Sequence, residues 1–305
     1  MRRTRRILVA TLLASSVAQA QTVVQVTDDA HHTLTLGRPV RRIISLAPSL
    51  TEVLYEAGAG DRLVGTVDYS DYPAEARKVL RIGSNQSLDL ERIASLGPDL
   101  ALVWSNGNSA RQLEQLAKLG IPLFYLAPRH IQDIPGELER VGQLAGTGTI
   151  AHAAAERFRA RYASLRARYA ERPEVRVFYQ VAFNPLLTIN DQQIISDAIH
   201  LCGGSNVFGK ESMLVPKLST ESVVAANPDV ILTSHWDAED HASGSAVRAP
   251  EGPGLKMWTQ FSTMKAARTG QLWLVPGDLI SRQGPRILDG AQAICTALDE
   301  VRKAN

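Results

Sequence analysis

An acid and a base, Asp278 and Arg282, sit in the run PGDLISRQGPR, which follows an apolar stretch ending at Val275. Tyr69, Trp104 and Trp236 occupy the equivalent place after three other strand-like stretches. In open α/β sheets, ligands bind beyond the C-terminal ends of the strands. Singly, such aromatics more often fill a core and such ion pairs face solvent. Their shared placement is what points to a site. Flat aromatic faces beside one Asp–Arg pair suit a large, partly apolar ligand with amide or hydroxyl edges. That chemistry is recognition. Signatures of catalysis are missing: there is no G-x-S-x-G elbow, no H-E-x-x-H, no P-loop and no G-x-G-x-x-G after a strand. The seven histidines are scattered, and His31-His32 has no third ligand near it in sequence. No catalytic residue, metal site or resident cofactor is therefore expected, and an exported hydrolase would rest on the cleft alone.

Two copies of one unit must position these residues. LDLERIASLGPDLALVW (88–104) and LSTESVVAANPDVILTS (218–234) align at a constant offset of 130 residues. Each reads as a short helix, a Gly-Pro or Asn-Pro stop and a buried strand. Between them, residues 149–172 form a helix whose apolar positions Ile150, Ala154, Phe158, Tyr162, Leu165 and Tyr169 recur every three or four residues, with arginines on the other faces. Thr149 is the expected N-cap, Pro173 forbids continuation, and the rod would be about 33 Å long. Strands alternate with helices on both sides of it. The expectation is an α/β chain of two Rossmann-like lobes with central sheets, 21–148 and 173–305, joined by a single long backbone helix over 149–172. Two lobes imply a cleft. In the first lobe, Ser49 is expected to cap the helix LTEVLYEAG, with Glu52 at the capping-box position.

The repeat also places Glu91 and Glu221 at equivalent positions, early in their helices. A carboxylate there suits the helix dipole. Two equivalent acidic knobs also suit docking on a partner with two-fold symmetry, through arginines.

Residues 1–20 read as a secretory signal: Arg2, Arg3, Arg5 and Arg6, an apolar run too short to span a bilayer, then Ala18-Gln19-Ala20. The mature chain is expected to begin at Gln21, and with no Cys after the cleavage site the product is expected to be soluble and periplasmic. Loss of those four arginines turns the net charge from +2 to −2, so the basic balance is no argument for nucleic acid. In an oxidising compartment Cys202 and Cys295 either pair or remain two buried thiols.

RRIISLAPSLTEVLYEAG, VDYSDYP, the first repeat, the lone rod, CGGSNVF, LSTESV and GDLISRQGPRI together resemble the helical-backbone (class III) substrate-binding proteins of ABC importers, the cobalamin-binding members in particular. The resemblance spans nearly all of the mature chain. It implies a corrinoid captured between the lobes as transported ligand, whose cobalt need not be ligated by protein, and a disulfide between Cys202 and Cys295. Tyr69, Trp104, Asp278 and Arg282 match corrinoid-contacting positions, and Glu91 and Glu221 match a glutamate pair that meets arginines of a membrane permease dimer. The free protein is expected to be a monomer. Two family tryptophans are replaced, near Asn85 and near Val215, leaving Trp236, Trp258 or Phe183 to compensate. A haem or iron-siderophore receptor of the same fold, with Tyr69 or His235 as iron ligand, is the alternative.

Overall fold

The computed structural model describes residues 23–105, 107–235 and 244–304. The predicted signal and Trp236 lie outside the described residues. The chain enters through an antiparallel hairpin, β1 (Val24–Thr27) with β2 (Thr33–Leu36). The first lobe follows as β3 (Ile43–Ser45), α1 (Pro48–Glu56), β4 (Leu63–Thr66), α2 (Leu90–Leu96), β5 (Leu100–Trp104), α3 (Ala110–Lys118), β6 (Leu123–Leu126) and α4 (Ile134–Ala145). Its sheet is fully parallel, in the order β4-β3-β5-β6.

The rod is α5 (Gly148–Tyr169). The second lobe comprises β7 (Val175–Gln180), the hairpin β8 (Ala182–Phe183) and β9 (Leu186–Leu187), α6 (Ile194–Leu201), β10 (Gly204–Asn206), α7 (Thr220–Ala226), β11 (Val230–His235), β12 (Val247–Arg248), α8 (Lys265–Arg268), β13 (Leu272–Pro276), α9 (Gly277–Ile280) and α10 (Ile287–Ala304). Its sheet runs β10-β7-β11-β13-β12, parallel except for the last strand. The parallel strands are covered on both faces, so β5 and β11 read as continuous apolar runs rather than alternating ones.

The repeat holds at the level of hydrogen bonds. Asp89 caps α2 by accepting from the Arg92 backbone N–H, and Ser219 caps α7 by accepting from that of Ser222. Both helices stop on a left-handed residue, Gly97 at φ 51° and Asn227 at φ 44°. Asp99 then accepts from the backbone of Arg41 and Arg42, and Asp229 from that of Arg176. The guanidinium groups of Arg42 and Arg176 in turn donate to the last carbonyls of α2 and α7.

The rod differs from its sequence reading at its start. It begins at Gly148, and Thr147, not Thr149, precedes it, donating its hydroxyl to the Ala57 carbonyl instead of capping. Ile150 is exposed, while Ala151 and Ala155 are buried against α4. Small side chains allow that close approach: a Cβ on Gly142 of α4 would overlap the Ala151 methyl. Half of the buried stripe is thus alanine, which a hydrophobic periodicity weighs lightly. Ile131 and Ile134, just before and at the start of α4, pack into the core of the second lobe with Phe158 and Leu165.

Cys202 and Cys295 are bonded, joining the end of α6 to the middle of α10 and closing a 93-residue separation. Loop closure of that length is worth about 4 to 5 kcal/mol in the chain-entropy account. The Cys202→Ala/Cys295→Ala protein should therefore unfold at a clearly lower denaturant midpoint. An unchanged midpoint would show that α6 and α10 hold without the bond.

Glu137, on α4, is fully buried, with neither carboxyl oxygen hydrogen-bonded among the described residues. Burial pushes its carboxyl well above the ordinary 4.5, the nearby Asp29 and Asp133 add to the rise, and Arg140 opposes it. As pH climbs past 4.5 the unfolded chain sheds this proton while the folded one keeps it. Stability then falls, by at most about 1.4 kcal/mol per pH unit. Glu137→Gln should raise the melting temperature at pH 8 and leave it nearly unchanged at pH 4; an equal gain at both would contradict this account.

Candidate functional site

The loops at the C-terminal ends of β3, β4, β5 and β13 face one another across the cleft. They enclose a cavity of about 570 Å³ lined by Pro48, Ser49, Asp68, Tyr69, Asp71, Ser84, Asn85, Trp104, Asp278, Ser281, Arg282 and Gln283, among others. Four of the five residues predicted to contact a ligand, Tyr69, Trp104, Asp278 and Arg282, are thereby brought together from both lobes. Trp236 lies outside the described residues.

Each is held in its own way. Tyr69 has φ 63°, a left-handed conformation uncommon outside glycine, and its side chain is 79% exposed at the rim. Strain of this kind gathers at ligand-contacting loops. Trp104, the last residue of β5, is fixed by Asn108: its backbone N–H donates to Asn108 Oδ1 at 2.8 Å, and Asn108 Nδ2 donates to the carbonyls of Leu46 and Asn85. Gly107 lies against the indole, where any Cβ would overlap the ring. Across the cleft, Trp104 Nε1–H donates to Gln283 Oε1 at 3.3 Å.

The Asp278–Arg282 pair is part of a larger network. Arg282 is buried, and its guanidinium meets Asp278 at 3.2 Å, Asp71 at 2.9 Å and Glu52 at 3.2 Å. Arg286 donates twice to Glu52, at 2.6 and 3.0 Å, and stacks 4.0 Å above the Tyr72 ring. Glu52 and Asp71 belong to the first lobe, and Arg282 and Arg286 to the second, so the network ties the lobes together at the cleft. Burial pushes the Asp71 carboxyl up, but the hydrogen bond and charge of Arg282, helped by Arg286, outweigh it and hold it below its ordinary 3.8.

The capping-box expectation is corrected here. The helix starts at Pro48 with Ala47 at the N-cap, so Ser49 lies inside it and caps nothing. Glu52 points into the inter-lobe network, buried to 3% exposure. Its S-x-x-E spacing imitates a capping box, and no local signal reveals partners 230 and 234 residues away. Asp71, Gln283 and Arg286 were missed because their partners lie in the other lobe, and Asn108 because the carbonyls it holds, those of Leu46 and Asn85, are distant in sequence.

Of the aromatics expected to offset the two replaced tryptophans, Trp258 does not reach the cavity. It is fully buried, donating its N–H to Gln180 Oε1 and packing edge-on to Phe178. Phe183 is exposed on the β8–β9 hairpin, and Asn85 itself lines the cavity. His235 is buried at the end of β11 and is not among the lining residues. Glu91 and Glu221 are exposed in the first turns of α2 and α7. Glu221 is held below its ordinary value by a backbone hydrogen bond and the Ser219 hydroxyl.

Away from the cleft, a groove of about 550 Å³ runs between α4 and α5, lined by Pro135, Phe158, Tyr162 and Arg166 among others, with no carboxylate. Glu139, His152 and Glu156 bring donor atoms within 4.8 Å of one another on the same helices. Arg159 already sits among them, paired with both glutamates. Neither place joins aromatic faces to convergent polar groups as the cleft does. Among the described residues no helix is long and apolar enough to cross a membrane.

Residues 43–279 match the periplasmic binding protein family. The vitamin B12-binding protein of Vibrio parahaemolyticus is 34% identical over 268 residues, covering 88% of this chain and 92% of the relative. That of Yersinia pestis strain Pestoides F is 37% identical over 266 residues, covering 87% and 89%. Among solved structures, the periplasmic vitamin B12 binding protein BtuF of Vibrio cholerae aligns with a TM-score of 0.75 at 33% identity, covering 87% of this chain and 99% of that one. The periplasmic heme-binding protein RhuT from Roseiflexus sp. RS-1 shares the fold, with a TM-score of 0.72 at 23% identity, covering 87% and 99%. Two parallel-sheet lobes, a single helix between them and a cleft lined from both sides agree with that match over most of the sequence: the chain belongs to the periplasmic binding protein family.

Proposed function

We propose that this protein captures a cobalamin-type corrinoid in the inter-lobe cleft and hands it to the membrane permease dimer of an ABC importer. The observation that carries the reading is the cavity itself. Tyr69 and Trp104 offer flat apolar faces, and Asp278, Arg282, Asn85 and Gln283 offer polar edges around them. This suits a macrocycle with an apolar ring and an amide-bearing periphery. Relatives that share a third of the sequence carry the name of vitamin B12-binding proteins.

The corrinoid is cargo and not a resident cofactor, and no protein side chain needs to ligate its cobalt. In this reading the role is binding, in keeping with the binding-protein names of the relatives. Among the described lining residues Tyr69 is the side chain suited to haem iron, so haemin is the ligand to run in parallel. In this reading Glu91 and Glu221 dock on arginines of the permease, and the chain works as a soluble periplasmic monomer after cleavage near Ala20.

Adding cyanocobalamin to the purified mature protein should quench tryptophan fluorescence and saturate at one equivalent. Most of the quench should vanish in Trp104→Phe. A signal that never saturates, or that is indifferent to Trp104, would count against this site.

A further inference from the structure

Shape alone separates one flat macrocycle from another poorly, whereas peripheral charge separates them well. Among the described lining residues, the acidic and basic side chains are Asp68, Asp71, Asp278 and Arg282. Arg282 is committed to Glu52, Asp71 and Asp278, and Arg286 behind it is committed to Glu52. Asp68 is exposed at the cavity wall, and no basic side chain lies within ion-pair distance of it among the described residues. Four carboxylates therefore face two guanidinium groups, leaving two negative charges in excess. Glu52 and Arg282 are buried, so water screens this excess weakly from behind.

We infer that this surplus of negative charge is a specificity filter: the cleft accepts a corrinoid whose peripheral side chains are amides and rejects flat macrocycles whose side chains are carboxylates, dianionic haem included. The inference rests on the corrinoid reading above. An amide edge brings N–H donors to the free lone pairs of Asp68 and Asp278, and its carbonyls can accept from the amide nitrogens of Asn85 and Gln283. A carboxylate edge brings no donor. It also finds no uncommitted cation in the network, because Arg282 and Arg286 already serve protein carboxylates. At an effective dielectric of about 20 and a separation near 10 Å, each like-charge pair weakens binding roughly tenfold. Asp68 and Asp278 thus become specificity-determining residues, and Arg282 holds the acids in place without inviting an anion.

The test compares two probes with the same corrin ring and axial cyanides: dicyanocobinamide, whose side chains are amides, and dicyanocobyrinic acid, whose side chains are carboxylates. Both are titrated into the full mature protein at neutral pH and low salt. Wild type should bind the carboxylate form roughly a hundredfold more weakly, as expected for two like-charge pairs. In Asp68→Asn/Asp278→Asn that gap should shrink about tenfold or more, chiefly by a gain for the carboxylate form. Asp68→Asn alone should close part of it while leaving the Asp278–Arg282 contact intact. Added salt should narrow the wild-type gap as well. Equal affinities in wild type, or a gap indifferent to both substitutions, would overturn the filter and leave the corrinoid reading standing. Failure of both probes and of cyanocobalamin would overturn the corrinoid reading itself.

Discussion

Arg282→Ala should abolish corrinoid binding and lower the stability of the protein by about 3 to 5 kcal/mol, the range for removing one partner of a buried ion pair. The arginine is the shared partner of Glu52, Asp71 and Asp278, and its removal leaves three carboxylates facing one another. Most of the cost comes from Glu52, whose side chain is 2% exposed; Asp71, at 43%, is partly screened by solvent. Arg286, stacked over Tyr72, still donates to both oxygens of Glu52 and offsets part of that cost. Arg282→Lys should recover little, because one ammonium cannot span three acceptors as a planar guanidinium does.

The pH dependence follows from Asp71, whose folded-state value is depressed. Its contribution is fully present above the ordinary 3.8 and is lost as pH falls through the lower folded value. The gap between wild type and Arg282→Ala, read as denaturant midpoints, should therefore narrow below pH 3.8. Equal midpoints at pH 7 would mean that the network holds nothing together.

Reversing both acidic knobs, Glu91→Lys with Glu221→Lys, should stop corrinoid uptake while leaving ligand affinity unchanged. Both side chains are exposed in the first turns of their helices, and the N-caps are supplied by Asp89 and Ser219, which the substitutions do not touch. The loss to folding is limited to the helix-dipole contribution, about 0.3 to 1 kcal/mol at each site. At a docking surface the same change sets lysine against arginine. Each reversed contact then costs several kcal/mol, enough to reduce uptake by about a hundredfold or more. The readout is uptake of labelled cyanocobalamin in cells that depend on this protein, beside a titration of the purified variant. Normal uptake would remove the two glutamates from the docking account.

What the sequence made legible was local. The 130-residue repeat was readable because its parts lie within a few residues of one another. Asp89 and Ser219 start the two helices, Gly97 and Asn227 stop them in the left-handed conformation, and buried strands follow. The positions of Tyr69, Trp104, Asp278 and Arg282 followed from the strands they succeed. Hidden from sequence were the side chains whose meaning depends on partners distant in the chain. Glu52 looked like half of a capping box and is the buried acceptor for two arginines. Asn108, in a polar loop like many others, holds the backbone of Trp104 and the carbonyl of Asn85. The equivalence of Arg42 and Arg176 escaped notice because its offset is 134 residues and not 130, the spacing having drifted between strand and repeat. The rod was found by its apolar stripe, in which Ala154, Phe158, Leu165 and Tyr169 are buried as expected, while Ala151 and Ala155 take the place expected of Ile150.

The most direct test is calorimetric: the purified mature protein titrated separately with cyanocobalamin and with haemin under the same conditions. The account predicts a saturable, one-to-one heat with cyanocobalamin at a Kd of about 1 μM or tighter, and no matching isotherm with haemin. A saturating haemin isotherm with no heat from cyanocobalamin would contradict it, and would make the cleft between Tyr69 and Arg282 a site for another ligand.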